Sequence, residues 1–331
     1  MEFREERGIG YCGLACVLCG YDDNCPGCKA IIAAGHDCSA GKCAFDMKSE
    51  FPSDGENAAA PHRTLHSVPV YGCYACPEYD SCEEKMPHGK RSRVFNRYAR
   101  EFGEQALIDR LRVNYENGIT YHTPDKSPGD YDKLETEEEI FQLLRYGRND
   151  PYAKCPEFDT EHFHLRQVRE EDAEDLLCFY GDLSEWMFNG NAWCNGIFSS
   201  NRPTAEEMRK CINSWLDEYK NKFYIRLSVI DRATGKPIGT VEVFDNFDRA
   251  KRGAALHIDL SVPYETRTYI AELLNLADEE LFRLFGFRYL IIWALPNAAE
   301  RIAALNAAGY KIFESDSREN YYMKRSPDYG D

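Results

Sequence analysis

Ten cysteines lie between residues 12 and 82 of this 331-residue chain, at spacings typical of metal ligands. Two thiolates separated by two residues can bind one ion from a single tight turn, and a second such pair completes the tetrahedral sulfur shell that Zn²⁺ favours. The segment is therefore predicted to bind one or two zinc ions. The predicted ligands are Cys12, Cys16, Cys19, Cys25, Cys28, Cys38, Cys43, Cys73, Cys76 and Cys82.

Loop length suggests how these cysteines divide between two sites. Cys25 and Cys28 are predicted to share an ion with Cys38 and Cys43, because the intervening loop is short and begins with the turn-forming Cys-Pro-Gly-Cys. The second site then draws its four ligands from Cys12, Cys16, Cys19, Cys73, Cys76 and Cys82.

Two alternatives to zinc remain open. Four thiolates suit an iron–sulfur cluster as well as zinc, and the thiols could instead be free or redox-active. In a loop-rich segment the simplest role for a metal is structural, since it replaces missing apolar burial. A catalytic or sensing metal is the competing interpretation.

The charge of the chain disfavours polyanionic partners. Lysine and arginine number 40 against 56 acidic residues, giving a net charge of −16. Nucleic acids and anionic membranes require a basic surface. The one basic stretch, 85–100, has apolar residues at helical spacing at Val94, Phe95, Tyr98 and Phe102, which indicates the solvated side of a packed helix.

The hydropathy of the chain likewise disfavours a membrane partner. The longest apolar stretch, 289–295, is far shorter than the roughly 20 residues that cross a bilayer, and the first residues are charged without an apolar signal region. We therefore expect a cytoplasmic protein without a membrane partner. Thiols stay reduced in that compartment, which again favours metal ligation over disulfides.

The pattern of elements predicts two domains of mixed α/β class. A cysteine-rich domain with a helical tail is expected over 1–150, a linker over 151–160, and a second domain over 161–331. Capping boxes at Thr136 and Thr204 predict helix starts. The second domain alternates strands and helices, which predicts a mixed central sheet flanked by helices.

The cysteine-rich half resembles a small bacterial and archaeal domain of unknown function that is thought to bind metal. The resemblance rests on YCGLAC, CPGC and CYACPEYDSCEEK and extends over about residues 8–147. It implies a metal-stabilised module and no particular activity.

The second half resembles the GCN5-related N-acetyltransferase superfamily, particularly its ribosomal-protein-acetylating branch. The segments FHLRQVREEDAEDLL, PIGTVEVFD and RIAALNAAGYKIF stand in that superfamily's order over 163–325. The resemblance implies that acetyl-CoA binds where a strand feeds a helix through R/Q-x-x-G-x-G/A, with backbone N–H groups meeting the diphosphate.

This chain departs from that motif. Glu265 replaces its leading basic residue, and Thr268 and Ile270 replace its glycines, so their side chains are expected to crowd the phosphates. The resemblance places the cofactor contacts at Val262, Arg267, Thr268, Tyr269, Ile270 and Asn297.

In the mechanism that the resemblance implies, an amine attacks the thioester directly, so the site needs a base and an acid. Strand placement makes Glu242 and Asp259 the base candidates, and Tyr322 and Tyr310 the acid candidates.

These observations lead to one main hypothesis and two rivals. The main one is acetyl transfer from acetyl-CoA to an amine of a small molecule or a peptide, with a zinc-stabilised accessory domain. The rivals are a non-catalytic protein-binding module with a degenerate acetyltransferase fold, and a metal or redox sensor in the first half, where a protein partner could also bind.

Overall fold

The computed structural model describes residues 2–20, 24–34, 62–63, 69–70, 72–76, 79, 89–123, 125, 127–180, 204–248, 253–313 and 319–326. These residues form two compact units, Met1–Arg148 and Asn149–Asp331. None of the helices in these ranges is long and apolar enough to span a bilayer.

The described part of the first unit is mainly helical. Its helices are α1 (Cys28–Ala33), α2 (Lys90–Phe102), α3 (Glu104–Glu116) and α4 (Glu137–Tyr146), and its two short strands are β1 (His62–Arg63) and β2 (Pro69–Val70). The predicted capping box starts α4, since Thr136 accepts a hydrogen bond from the Glu139 amide, and Gly147 ends the helix.

An apolar core fills this unit. Helices α2 to α4 contribute Phe95, Leu107, Leu111 and Leu144, each with no exposed surface. The cysteine-bearing segment adds Ile9, Ala15, Val17 and Leu18 to the same core. The described part of the unit thus has an apolar core of its own, and burial of these side chains favours the folded state whether or not an ion is bound.

The basic face of α2 is neutralised by the protein's own carboxylates. Arg91 pairs with Asp132 at 2.5 Å, Arg93 with Glu137 at 2.7 Å, and Arg97 with Glu138 at 3.2 Å. The opposite face buries the predicted apolar residues of the helix. This arrangement agrees with the solvated-helix interpretation of the basic stretch.

The second unit confirms the predicted α/β class. An eight-stranded sheet has the order β3-β4-β5-β6-β7-β8-β10-β9, and only the β7–β8 pair is parallel. The strands are β3 (Phe158–Asp159), β4 (Phe163–Gln167), β5 (Ile225–Asp231), β6 (Pro237–Asp248), β7 (Gly253–Leu260), β8 (Tyr289–Trp293), β9 (Lys311–Ile312) and β10 (Tyr321–Arg325).

Within the described residues, five helices accompany this sheet: α5 (Ala173–Tyr180), α6 (Ala205–Lys220), α7 (Arg267–Leu276), α8 (Phe282–Phe285) and α9 (Ala299–Ala307). Helices α5 and α6 pack together on one face, where Trp215 lies against the side chain of Arg226 in β5. The α7 side is the other face, since Lys324 of β10 contacts Asp278 just beyond α7.

A π-helical turn over Ala277–Leu281 separates α7 from α8. The sequence predicts one continuous helix with Leu284 on its buried face. In the structure Phe282 and Phe285 are buried, whereas Leu284 is only half-buried. The wider turn places an extra residue in the helix and so shifts the phase of the residues that follow it.

The stretch 151–160, taken from the sequence as a linker, packs with the second unit. The Tyr219 hydroxyl donates to the Pro151 carbonyl at 2.9 Å, and the rings of Tyr152 and Tyr219 lie 5.6 Å apart. Phe158 pairs with Leu165 at the edge of the sheet.

The second predicted capping box supplies a test of local stability. Thr204 accepts a hydrogen bond from the Glu207 amide at 3.2 Å, and its own amide donates to the Glu207 carboxylate at 2.8 Å. We expect Thr204→Ala to lower the free energy of unfolding by about 1 kcal/mol, because the amides at the start of α6 lose their acceptor. Urea denaturation measures the change. Glu206→Ala, at an exposed neighbour outside the box, is the control and should cost only a few tenths of a kcal/mol.

Candidate active site

A layer of polar side chains lies on one face of strands β5 to β7. Arg226, Glu242 and His257 stand side by side across the three strands, and Ser228, Thr240 and Asp259 form the next row. Because side chains alternate between the faces of a strand, both rows lie on the face that α5 and α6 cover. Charged groups buried in this way require partners within the layer.

Arg226 and Glu242 form the centre of the layer. The two side chains make an ion pair, with only 5% and 10% of their surface exposed. The guanidinium also lies 4.0 Å from the centre of the Trp215 ring and donates to the Tyr180 hydroxyl at 3.3 Å. Burial alone would raise the pKa of Glu242, but the charge of Arg226 and a hydrogen bond from His257 lower it to about 2. Glu242 therefore stays ionised and is a poor proton acceptor.

His257 is the accessible member of the layer. Its Nδ1 lies 3.4 Å from Oε1 of Glu242, and 30% of its side chain is exposed. Burial favours the neutral ring, but the hydrogen bond and charge of Glu242 outweigh it and raise the pKa of His257. Sequence reasoning did not select this residue. The sequence feature that could have identified it is strand alternation, which places His257 beside Glu242 and on the same face as Asp259.

Asp259, a predicted base, is buried. It accepts a hydrogen bond from the Tyr180 hydroxyl at 3.2 Å, and that hydroxyl also lies 2.7 Å from Oγ1 of Thr240. Burial raises the pKa of Asp259 above its ordinary value. With 3% of its surface exposed, Asp259 can hold Tyr180 in place but has little access to a substrate.

The sheet opens next to these residues. Strands β7 and β8 pair only at Gly253–Ala255 with Tyr289–Ile291. His257 and Asp259 lie beyond the last paired residue of β7, where its backbone pairs with β6 alone. Backbone amides that are not used between two diverging strands can donate to the carbonyl oxygen of a bound acyl group.

The two predicted acids lie on the other side of the sheet. Tyr322 pairs with Ile292 and shares its face with Lys324, which contacts Asp278 on the α7 side. Tyr310 is fully buried, and burial raises the pKa of its hydroxyl, which has no hydrogen-bond partner within the described residues. The structure therefore does not bring these tyrosines together with Glu242 and Asp259.

The start of α7 is the segment where the sequence predicts a diphosphate. Two amides of its first turn are already engaged by the protein: the Arg267 amide donates to Oε2 of Glu300 at 3.0 Å, and the Tyr269 amide donates to Oγ1 of Thr266 at 3.5 Å. Just before the helix, Glu265 accepts two hydrogen bonds from Arg301, at 2.7 and 2.8 Å. In this conformation the segment does not fit a diphosphate, because the Glu300 carboxylate occupies the Arg267 amide.

Only one of the two side chains that replace the motif's glycines is exposed in this segment. Ile270 is 1% exposed and points into the core. Tyr269 packs against the rings of His162 and Phe163, at 5.2 and 5.3 Å. The expected crowding is therefore confined to Thr268, which is exposed like Val262, Arg267 and Asn297. The main obstacle is Glu300, a residue that sequence reasoning did not consider.

The cysteines of the first unit lie partly within the described ranges. Cys16–Leu18 and Cys73–Ala75 form equivalent 3₁₀ turns, in which the amide of the following cysteine donates to the first carbonyl at 3.1 Å. The side chains of Cys16 and Cys28 lie side by side next to Gly10, and this contact together with burial raises the pKa of the Cys16 thiol, although the sequence assigns these cysteines to different sites. Cys38, Cys43 and Cys82 lie outside the described residues, and within those residues no group of three metal-ligating side chains occurs.

Comparison with known proteins classifies the second unit. Residues 162–311 match the family described as Acetyltransferase (GNAT) domain. This segment, slightly less than half of the chain, is an acetyltransferase domain of the GNAT type, and proteins of that type use acetyl-CoA as the acyl donor. A search of curated proteins finds no match to the chain.

Several solved structures are similar to about half of the chain. A ribosomal-protein-S5-alanine acetyltransferase from Vibrio fischeri is 15% identical, with 53% of this chain and 100% of that chain covered and a TM-score of 0.38. A GNAT-family acetyltransferase from Bacillus anthracis is 14% identical, with coverages of 51% and 98% and a TM-score of 0.40. A spermidine N-acetyltransferase from Vibrio cholerae, solved with CoA and spermine, is 16% identical, with coverages of 50% and 93% and a TM-score of 0.36.

The Arg226–Glu242 pair yields a test of the buried layer. We expect Arg226→Met to lower the free energy of unfolding by about 3–5 kcal/mol, because Glu242 is then left as an uncompensated buried charge. The double variant Arg226→Met, Glu242→Gln should recover at least half of that loss. Urea denaturation at pH 8 measures both variants. A double variant no more stable than Arg226→Met would contradict the pairing.

Proposed function

We propose that the protein transfers an acyl group from a coenzyme A thioester to an amine of a small molecule or a peptide N-terminus, in the reducing cytoplasm. The observation that carries the proposal is the position of His257. It lies in a segment that matches an acetyltransferase domain, on the strand that diverges from its parallel neighbour, and it is the accessible end of a buried polar layer.

His257 is the proposed general base. With Nδ1 held by Glu242, the free Nε2 is the atom that takes a proton from the incoming ammonium group, which leaves a neutral amine able to attack a thioester carbonyl. Glu242 acts through His257 as a positioning residue, and its negative charge stabilises the imidazolium that forms. Arg226 keeps Glu242 ionised throughout.

Asp259 is proposed as a second positioning residue. Its bond to Tyr180 joins α5 to the diverging part of β7, where the acyl group is expected to bind. The backbone amides of that part of β7 are the proposed donors to the acyl oxygen. Tyr322 and Tyr310 lie on the other face of the sheet, which favours a packing role for both over acid catalysis.

A non-catalytic binding function is the second candidate, and one observation favours it. The amide of Arg267 is engaged by Glu300, where a diphosphate would be bound. A domain closed permanently in this way would keep the fold without the reaction. Turnover of acetyl-CoA with any amine would exclude this candidate.

For the first unit we propose a zinc ion that is bound by Cys16 and Cys28 together with other cysteines of the segment. The contact between the two thiols and the paired 3₁₀ turns support this ligand choice. Zn²⁺ would hold the cysteine-bearing segments together, and we assign it no step in the reaction.

The role of His257 is tested by His257→Gln, which keeps the size of the side chain and removes the base. With acetyl-CoA and a panel of polyamines and N-terminal peptides, we expect kcat to fall about 100-fold, with little change in the KM for acetyl-CoA. Because the base must be neutral, the wild-type rate should rise with pH through the His257 pKa, which lies above the ordinary value for histidine. An NMR titration of the ring protons measures that pKa.

The control for this test is His164→Gln, at a similarly exposed histidine on β4 that pairs with Asp159. It should leave the rate and its pH dependence unchanged. Equal rates for wild type and His257→Gln would remove His257 from the mechanism, whereas no turnover by either protein with any acceptor would count against acyl transfer itself.

Metal content tests the proposal for the first unit. We expect elemental analysis to find zinc in protein purified without chelators, and Cys16→Ser to lower the zinc content by about one ion per chain. Cys178→Ser, at an exposed cysteine of the second unit, is the control. Because the unit has its own apolar core, chelation should leave most of its helical circular dichroism intact. Iron in place of zinc, or an unchanged metal content in Cys16→Ser, would contradict the proposal.

A further inference from the structure

We infer that Glu300 gates the acyl-donor site: its carboxylate occupies the start of α7, and a thioester that carries a diphosphate binds only after this side chain turns away. This inference rests on the proposed function. It assigns the weakened donor site to one side chain outside the motif that binds the diphosphate in the superfamily.

The backbone at the start of α7 favours a negatively charged group. The first amides of a helix have no partner within the helix, and the helix dipole makes their surroundings favourable for a negative charge. Oε2 of Glu300 lies 3.0 Å from the Arg267 amide nitrogen and accepts its hydrogen bond. The carboxylate thus takes the hydrogen bond and the electrostatic environment that an incoming diphosphate would use.

The neighbouring residue Arg301 holds Glu300 at the start of α7. Arg301, the next residue of α9, forms two hydrogen bonds with Glu265, and the two side chains are 3% and 8% exposed. This buried pair fixes the first turn of α9 against the residues that precede α7. Glu300 is thereby held within reach of the Arg267 amide.

Of the two carboxylates near the start of α7, Glu265 is fixed and Glu300 can move. Glu265 is buried and bound at both oxygens, so displacing it would break two buried charge-assisted hydrogen bonds to Arg301. Glu300 is exposed, and a rotation of its side chain needs no rearrangement of the core. Arg267, which carries a positive charge at the same position, is also exposed and available for a phosphate once Glu300 has moved.

The consequence is a donor preference that depends on the diphosphate. A carboxylate at the start of α7 competes with acetyl-CoA, both for the Arg267 amide and by charge repulsion. It does not compete with acetyl-pantetheine, which has the same thioester arm and no phosphate. Removal of Glu300 should therefore strengthen the binding of the first donor and leave the second unchanged.

The experiment measures the affinity of the full chain for acetyl-CoA and acetyl-pantetheine by calorimetry at low salt. We expect Glu300→Ala to bind acetyl-CoA about two- to fivefold more tightly than wild type, the range for an exposed charge near a helix terminus at low salt. Glu300→Gln removes the charge but keeps an oxygen that can accept from the Arg267 amide, so its gain should be smaller. The affinity for acetyl-pantetheine should stay within twofold in both variants.

Glu279→Ala is the matched control, since it removes an equally exposed carboxylate from the π-turn beyond the same helix. It should bind acetyl-CoA as wild type does, which separates a local effect from a change in net charge. Equal acetyl-CoA affinity in Glu300→Ala and wild type overturns the gate, even where wild type turns over acetyl-CoA and the proposed function stands. A gain for acetyl-pantetheine as large as that for acetyl-CoA also overturns it. Failure of every variant to bind either donor overturns both the gate and the proposed function.

Discussion

The buried pair between Arg301 and Glu265 determines the geometry around the start of α7. Two desolvated hydrogen bonds between a planar guanidinium and a carboxylate allow little freedom of position, so α9 and the residues before α7 have one relative arrangement. That arrangement sets which group meets the first amides of α7. The acidic residue that replaces the leading basic residue of the superfamily motif is therefore part of the scaffold, and its negative charge is neutralised by Arg301.

A buried pair of an arginine and a glutamate also organises the opposite face of the sheet. There Arg226 neutralises Glu242, and Glu242 in turn holds His257, which reaches the surface where β7 leaves β8. A buried charge pair thus supports one accessible titratable group. The two faces are not equivalent: one carries the proposed base, whereas Tyr322 and Tyr310 lie on the other, next to Lys324.

Local signals in the sequence predicted much of the fold and less of the site. The capping boxes at Thr136 and Thr204 fixed two helix starts because they depend on neighbouring residues alone. The phase change after Ala277 was not predictable from apolar spacing, since a π-turn leaves no mark in that pattern. Glu300 was also missed: it meets α7 only through folding, and it lies 33 residues from Arg267 in the chain. Strand alternation alone placed Glu242 and Asp259 on a common face, but not the burial that limits both.

The apolar core of the first unit limits how much of its structure would depend on a bound ion. Side chains such as Phe95, Leu107 and Leu144 are shielded from water by other parts of the same unit, independently of any thiol. A zinc finger without such a core unfolds when its ion is removed. Here the loss of the proposed ion would leave the packing of α2, α3 and α4 against one another in place.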